Sequence, residues 1–131
     1  MLQTITLETT AKEEVIDITD QVARIVAEAQ VEEAGVFVYV PHGDAAVNIQ
    51  AGRPRTSEPP LNDLLKKVLE RDEFEKPETG AAFVAPTEVL IAHRGRLLLG
   101  EDQRIYFYEF NGPKKRSVYV LVIPSSARWG N

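Results

Sequence analysis

The sequence predicts an α+β fold, two facing antiparallel β-sheets in a sandwich-like arrangement with two helices. Three observations predict it. Short segments that alternate polar and apolar residues recur through the chain, as half-buried strands do. Only two stretches place apolar residues at helical spacing. Strands crowd the last third of the sequence with no helix between them, a pattern that favours opposed antiparallel sheets over a parallel βαβ array.

Gln3 to Leu7 alternates with period two, and Glu14 to Ile18 does so again after a polar turn, so the pair is expected to form a hairpin. Thr19 or Asp20 then suits a helix cap. The apolar residues Val22, Ile25, Val26 and Ala29 follow at i, i+3, i+4 and i+7, and Gly35 is placed to stop a helix running from about Asp20 to Glu33. Val36 to Val40 consists almost wholly of β-branched and aromatic residues, which predicts a central strand covered on both faces. Pro41 to Asp44 makes a turn, and Ala45 to Gln50 alternates as a further strand.

Ala51 to Pro60 has the composition of an exposed loop, too short to divide the chain into two domains. Proline in a first helical turn then introduces Leu61, Leu64, Leu65, Val68 and Leu69 on one face of a second helix ending near Arg71. An acidic loop, Asp72 to Thr79, precedes five strand-like segments: Ala81 to Ala85, Glu88 to Ala92, Leu97 to Leu99, Gln103 to Phe110 and Ser117 to Ile123. Their connectors His93 to Arg96 and Asn111 to Arg116 carry hairpin-turn residues. Residues 125–131 read as a tail, with Trp129 suggesting that part of it docks.

Composition narrows the function classes. At 131 residues and 44% hydrophobic content, one domain spanning residues 1–131 is expected, burying roughly 65–70% of its unfolded surface. With no Cys there is no disulfide, thiolate zinc site, iron–sulfur cluster or thiol nucleophile. The N-terminal segment, with Glu13, Glu14 and Asp17, does not suit a signal peptide, and no apolar run approaches the about 18–20 residues that span a bilayer. A cytoplasmic protein is expected, with no membrane partner. A net charge of −5 argues against a general nucleic-acid binder. The lack of Cys, the single Met and the scarcity of Asn and Gln lean toward a thermophilic source.

His42 is the first candidate for chemistry, because it stands at a strand end beside Gly43 and Asp44 where a side chain can enter a cleft. An imidazole there suits a general base or metal ligand, with Asp44 orienting it; the plain alternative is a turn histidine bonded to backbone. His93 reads as a solvated turn residue. Two His and no Cys leave any zinc site dependent on carboxylates such as Asp44, Glu78 or Glu109, unless subunits share it. Arg94, Arg96 and Arg104 gather in sequence around the Gly95–Gly100 segment, which suits a phosphate or equally a charged edge that discourages strand addition. Glu109 shares the face of Ile105 and Phe107 on an alternating strand, so it is paired, functional, or already at solvent. Lys114-Lys115-Arg116 reads as a soluble loop tip. No P-loop, dinucleotide fingerprint, nucleophile elbow or helical H-E-x-x-H is present.

The residues Gly95, Arg96, Leu97, Leu99, Gly100, Gln103, Ile105, Tyr106 and Glu109 follow the pattern G-R-L-x-L-G-x-x-Q-x-I-Y-x-x-E, which resembles the YjbQ-like family, whose members are called secondary thiamine-phosphate synthases. In mid-chain, His42 to Gly52 is similar to the family's H-T-S-A-S-L-T-I-N-E-N, keeping the His, one Ala and the Ile. The chain departs from the family at Phe110, which stands for a second His, and at Asn111, which stands for an Arg. The family's A-H-I-K-S segment has no counterpart near Glu78 to Ala82. The resemblance implies a homotrimer and a site for a divalent metal or a small phosphorylated ligand. His42 and Glu109 would be the catalytic and metal-binding residues, and Arg96 and Gln103 the ligand contacts. Two functions follow as expectations. One is an enzyme joining a pyrimidine diphosphate to a thiazole phosphate; the other is a catalytically inactive binding or structural homotrimer.

Overall fold

The computed structural model describes residues 1–52, 59–70 and 76–125. Their elements run β1 (Leu2–Glu8), β2 (Glu14–Asp17), α1 (Thr19–Ala29), β3 (Glu33–Tyr39), β4 (Ala45–Ala51), α2 (Pro60–Leu69), α3 (Pro77–Val84), β5 (Thr87–His93), β6 (Arg96–Leu97), β7 (Gln103–Glu109) and β8 (Lys115–Pro124). The strands form a five-stranded sheet in the order β1-β8-β3-β5-β6 and a three-stranded sheet in the order β2-β7-β4, every pairing antiparallel. The α+β class with two antiparallel sheets is therefore observed.

The main core lies between the sheets. Val36, Val38, Val118, Val120 and Val122 of the large sheet meet Val47, Ile105 and Phe107 of the small one, and α1 adds Val22, Ile25 and Val26. Full burial of each such aliphatic side chain stabilises by about 1.5–3 kcal/mol. A second core covers the other face of the small sheet, where Tyr106, Tyr108 and Phe110 pack with Leu65 of α2 and with Ala81 and Val84 of α3. Among the described residues no helix is long and apolar enough to cross a membrane.

Several expectations change. β1 and β2 do not pair as a hairpin; β1 joins β8 in one sheet and β2 joins β7 in the other, so the segment between them crosses from layer to layer. Helix α1 stops at Ala29 with Gln30 in the left-handed conformation, and Gly35 lies inside β3. Neither Thr19 nor Asp20 caps it from the N-cap position, which Ile18 occupies; the Asp17 carboxylate accepts from the Thr19 amide at 2.9 Å and the Thr19 hydroxyl at 2.6 Å.

Strand β3 is central, but only one of its faces is covered within the chain. Phe37 and Tyr39 are 37% and 44% exposed. The predicted strand Ala81 to Ala85 is the end of α3, a third helix. Pro77 begins that helix, and Ala85 adopts φ 88° immediately after it. Small alanines and Gly80 let α3 lie close on β4, a contact that alternation alone cannot signal. The expected strand at Leu97 to Leu99 reduces to the two residues of β6. The His93–Arg96 turn does close a hairpin, with Arg94 and Gly95 both at positive φ. The Asn111–Arg116 connector is not a hairpin, because β7 and β8 belong to different sheets.

In α2, Leu65 is buried and Leu64 is 48% exposed, while the side chains of Val68 and Leu69 lie outside the described residues. Most of the predicted loop 51–60, the first part of the acidic loop and the tail with Trp129 also lie outside them.

Candidate functional site

His42 follows β3, and the register of β3 on β8, Tyr39 opposite Tyr119, carries the chain toward the start of β8. There the Ser117 amide donates to His42 Nε2 at 3.0 Å. That nitrogen must keep its lone pair, so the imidazole is held as the Nδ1 tautomer. Desolvation and the nearby Arg116 charge lower the pKa of His42 below its usual value, against the opposing fields of Asp44 and Glu109. Among the described residues, Nδ1 is the ring nitrogen that the fold does not use.

Glu109 ends β7 on the face of Ile105 and Phe107 and is 1% exposed. A carboxylate there is costly unless satisfied. It receives four donors: Thr9 Oγ1 at 2.7 Å, Arg116 Nε at 2.8 Å, Arg116 Nη2, and the Asn111 amide at 3.1 Å. Burial raises the Glu109 pKa, but the bonds from Arg116, Thr9 and Asn111 outweigh it and hold the group below its usual range.

Arg116, 3% exposed, also donates Nη1 to Asp44 Oδ1 at 2.7 Å. Asp44 Oδ2 accepts Lys114 Nζ at 3.0 Å and Asn111 Nδ2 at 3.3 Å. Bonds from Arg116 lead in holding the Asp44 carboxyl well below the usual carboxylate range, ahead of the opposing desolvation. The cluster thus sets two carboxylates against two cations, with a neutral imidazole alongside. The oxygens that would bind a metal are taken, so a metal ion would have to displace Arg116 or Lys114. Among the described residues no group of three His, Asp or Glu is arranged to hold a metal.

The structure thus gathers His42, Asp44 and Glu109 around Arg116. It does not bring Arg96 and Gln103 to them. Gln103 opens β7 and Glu109 closes it, six steps and about 20 Å apart. Gln103 Oε1 accepts from the Gly100 amide at 2.7 Å, which fastens a turn. Arg96 pairs with His93 at the sheet edge and is exposed. The three arginines around Gly95 do not converge, since Arg94 Nε meets Glu32 at 3.3 Å and Arg104 Nε meets Asp17 at 2.8 Å. His93 Nδ1 lies 3.6 Å from Glu33, and Glu78 sits exposed in the first turn of α3.

Arg116 is the residue that the loop-tip reading missed. Its signal was present in the sequence: Arg116, Val118, Val120 and Val122 alternate with period two, which puts Arg116 on the buried face of β8. Thr9 carried no comparable signal, because its contact with Glu109 spans a hundred positions.

The chain matches the family model described as UPF0047 protein YjbQ-like over residues 3–125. It is 31% identical to the UPF0047 protein YugU of Bacillus subtilis (strain 168), over 94% of this chain and 99% of that protein. It is 35% identical to a UPF0047 protein of Archaeoglobus fulgidus, over 91% and 98%. Among solved structures it is similar to a protein from C. acetobutylicum, with a TM-score of 0.82 and 29% identity over 94% of this chain and 99% of that one. A YbjQ-like protein of unknown function from Sulfolobus solfataricus P2 gives a TM-score of 0.82 at 26% identity, over 95% and 97%. With sequence and fold agreeing over nearly its whole length, the chain belongs to the YjbQ-like UPF0047 family.

Proposed function

We propose that this protein is a catalytically inactive structural or binding homotrimer of the YjbQ-like fold. The observation that carries this reading is the closed charge cluster beside His42. Arg116 is committed to Glu109 and Asp44, and Lys114 to Asp44. A phosphate needs cationic donors that are not already engaged. Withdrawing Arg116 would leave Glu109 buried and unpaired, at a cost of about 3–5 kcal/mol.

Self-association is supported by the outer face of the five-stranded sheet. Register places Val89, Phe37, Leu121 and Leu2 in one row across four strands, with Ile91, Gly35 and Ile123 in the row beside it. Val89 and Ile91 are 59% and 61% exposed within the chain. A continuous apolar face of this kind marks an association surface, and a second and third copy of the chain present the same one. Sedimentation equilibrium tests this: the expected mass is three times the 14.6 kDa of the chain.

A divergent enzyme of the secondary thiamine-phosphate synthase type, acting on a small phosphorylated ligand, is the second reading. His42 Nδ1–H favours it, as a ring donor left for an oxygen of a phosphorylated ligand. In this reading Glu109 orients Arg116, and Arg96 and Gln103 reach the ligand from a neighbouring subunit. Incubation with a pyrimidine diphosphate and a thiazole phosphate separates the two readings. Product at background level fits the first, and turnover that His42→Ala abolishes would establish the second.

A further inference from the structure

A cavity of about 380 Å³ opens on the side of the small sheet away from the main core, between β2, β7 and α2. This volume falls in the range of small-molecule sites, whereas packing gaps in protein interiors rarely exceed a water molecule. We propose that it binds a small organic cation with a flat apolar body, such as an aralkylammonium ion. The cavity shares only Glu109 with the cluster beside His42, and the proposal rests on neither reading above.

The aromatic wall comes from β7. Alternation sets Tyr106, Tyr108 and Phe110 on one face, and all three line the cavity. The rings of Tyr108 and Phe110 lie nearly parallel, 17° apart with centroids at 6.2 Å. Tyr108 is fixed at its far end, where its hydroxyl donates to Asn62 Oδ1 at 2.8 Å and accepts from Gln50 Nε2 at 2.6 Å. Gln50 Oε1 in turn accepts the Leu61 amide at 2.9 Å, which ties the start of α2 to the same network. The wall is therefore set before any ligand arrives, and little ordering cost is added on binding.

Charge selects the ligand. Among the described residues the lining includes Glu13, Glu14, Asp17 and Glu109 against a single basic residue, Lys66. Arg104 engages Asp17 and Arg116 engages Glu109. That leaves Glu13 and Glu14 without a basic partner among the described residues. Glu13 is exposed and Glu14 half-buried while Leu65, Tyr106 and Tyr108 are buried, so these two acids stand nearer solvent and the rings nearer the interior. Ring faces carry negative potential and attract cations; a carboxylate rim adds to that field and repels anions. A ligand with an ammonium group on an apolar ring matches both parts.

Benzylammonium and benzoate, of nearly equal size and opposite charge, test the proposal by amide chemical-shift titration of the full-length protein. Benzylammonium is expected to shift amides of residues 106–110 and 61–66 and to bind at least about tenfold more tightly than benzoate. Leu65→Trp, which fills the cavity, is expected to abolish those shifts. Glu13→Lys, at an exposed position that the fold does not need, is expected to weaken binding by about threefold or more. Equal binding of benzoate, shifts centred elsewhere on the surface, or unchanged affinity in Glu13→Lys would each overturn the proposal. The Glu13 variant keeps it falsifiable even where Leu65→Trp disturbs folding.

Discussion

Arg116 and Glu109 are seven residues apart on strands of opposite sheets, and they meet in the buried layer between those sheets. Arg116 Nε donates to Glu109 Oε1 at 2.8 Å, and Nη2 donates to Oε2. The pair bolts the end of β7 to the start of β8 where the chain changes layer. Thr9 joins from the end of β1, accepting the Lys114 amide at 2.8 Å while donating to Glu109. Gly112 makes this approach possible, because a Cβ there would collide with the Ala11 carbonyl and the Thr9 hydroxyl.

Removing one member of the pair should cost much more than removing both. Glu109→Gln leaves the guanidinium buried with only Asp44 as a charged partner, and a loss of about 3–5 kcal/mol is expected from urea denaturation. The double variant Glu109→Leu, Arg116→Met should recover at least about half of that loss, since two apolar groups of similar volume need no partner. A single variant that loses less than about 1 kcal/mol would remove the pair's structural role.

The pH dependence of stability should carry a mark of His42. Its folded pKa lies below the ordinary 6.5, so as pH falls the unfolded chain takes up the proton first. The stabilisation is then full above about 6.5 and is lost as pH drops through that value toward the folded one. His42→Gln should flatten this part of the curve, so that its urea midpoint falls less between about pH 7 and pH 5 than that of the parent. Parallel curves for the two proteins would contradict the assignment of a neutral, bonded imidazole.

Tyr108→Phe removes a hydroxyl that both donates and accepts, leaving Gln50 and Asn62 short of a partner. Burial pushes the Tyr108 hydroxyl up to about 12, so it stays protonated and able to donate across the working range. The expected cost is about 1–2 kcal/mol. Amide exchange in the first turn of α2 should quicken with it, because Gln50 also holds the Leu61 amide. Unchanged exchange would show that α2 is anchored elsewhere.

Val89→Glu combined with Ile91→Glu places two carboxylates on the outer face of the five-stranded sheet, where both positions are exposed in the single chain. The proposed trimer should then give way to single chains by sedimentation while near-ultraviolet circular dichroism stays native. Association that survives both charges would move the interface to another surface.

The sequence made much of this legible because single strands announce themselves by period. Alternation identified β1, β2, β4 and β7, and it put Glu109 with Ile105 and Phe107 before any contact was known. Extending the same argument to Arg116, Val118, Val120 and Val122 finds the partner, although a basic triplet beside Gly112 and Pro113 reads first as a loop tip. Helix α3 escaped for the opposite reason. Gly80, Ala81 and Ala82 carry too little hydrophobic contrast to show a period, and only Pro77 marks the start.

By itself the sequence determined the class of fold, the positions of most strands and the residues able to carry charge or lend an imidazole, because these follow from local periodicity and side-chain chemistry. Tertiary structure alone decided which elements became neighbours. It separated β1 from β2, sent β7 and β8 to opposite sheets, and placed Arg96 and Gln103 at the far end from Glu109. It also turned Glu109 into an ion-paired anchor and left Phe37 and Tyr39 on an open face. Pairing across layers depends on burying complementary faces and satisfying each buried polar group, and those are properties of the whole assembled chain that no window of sequence contains.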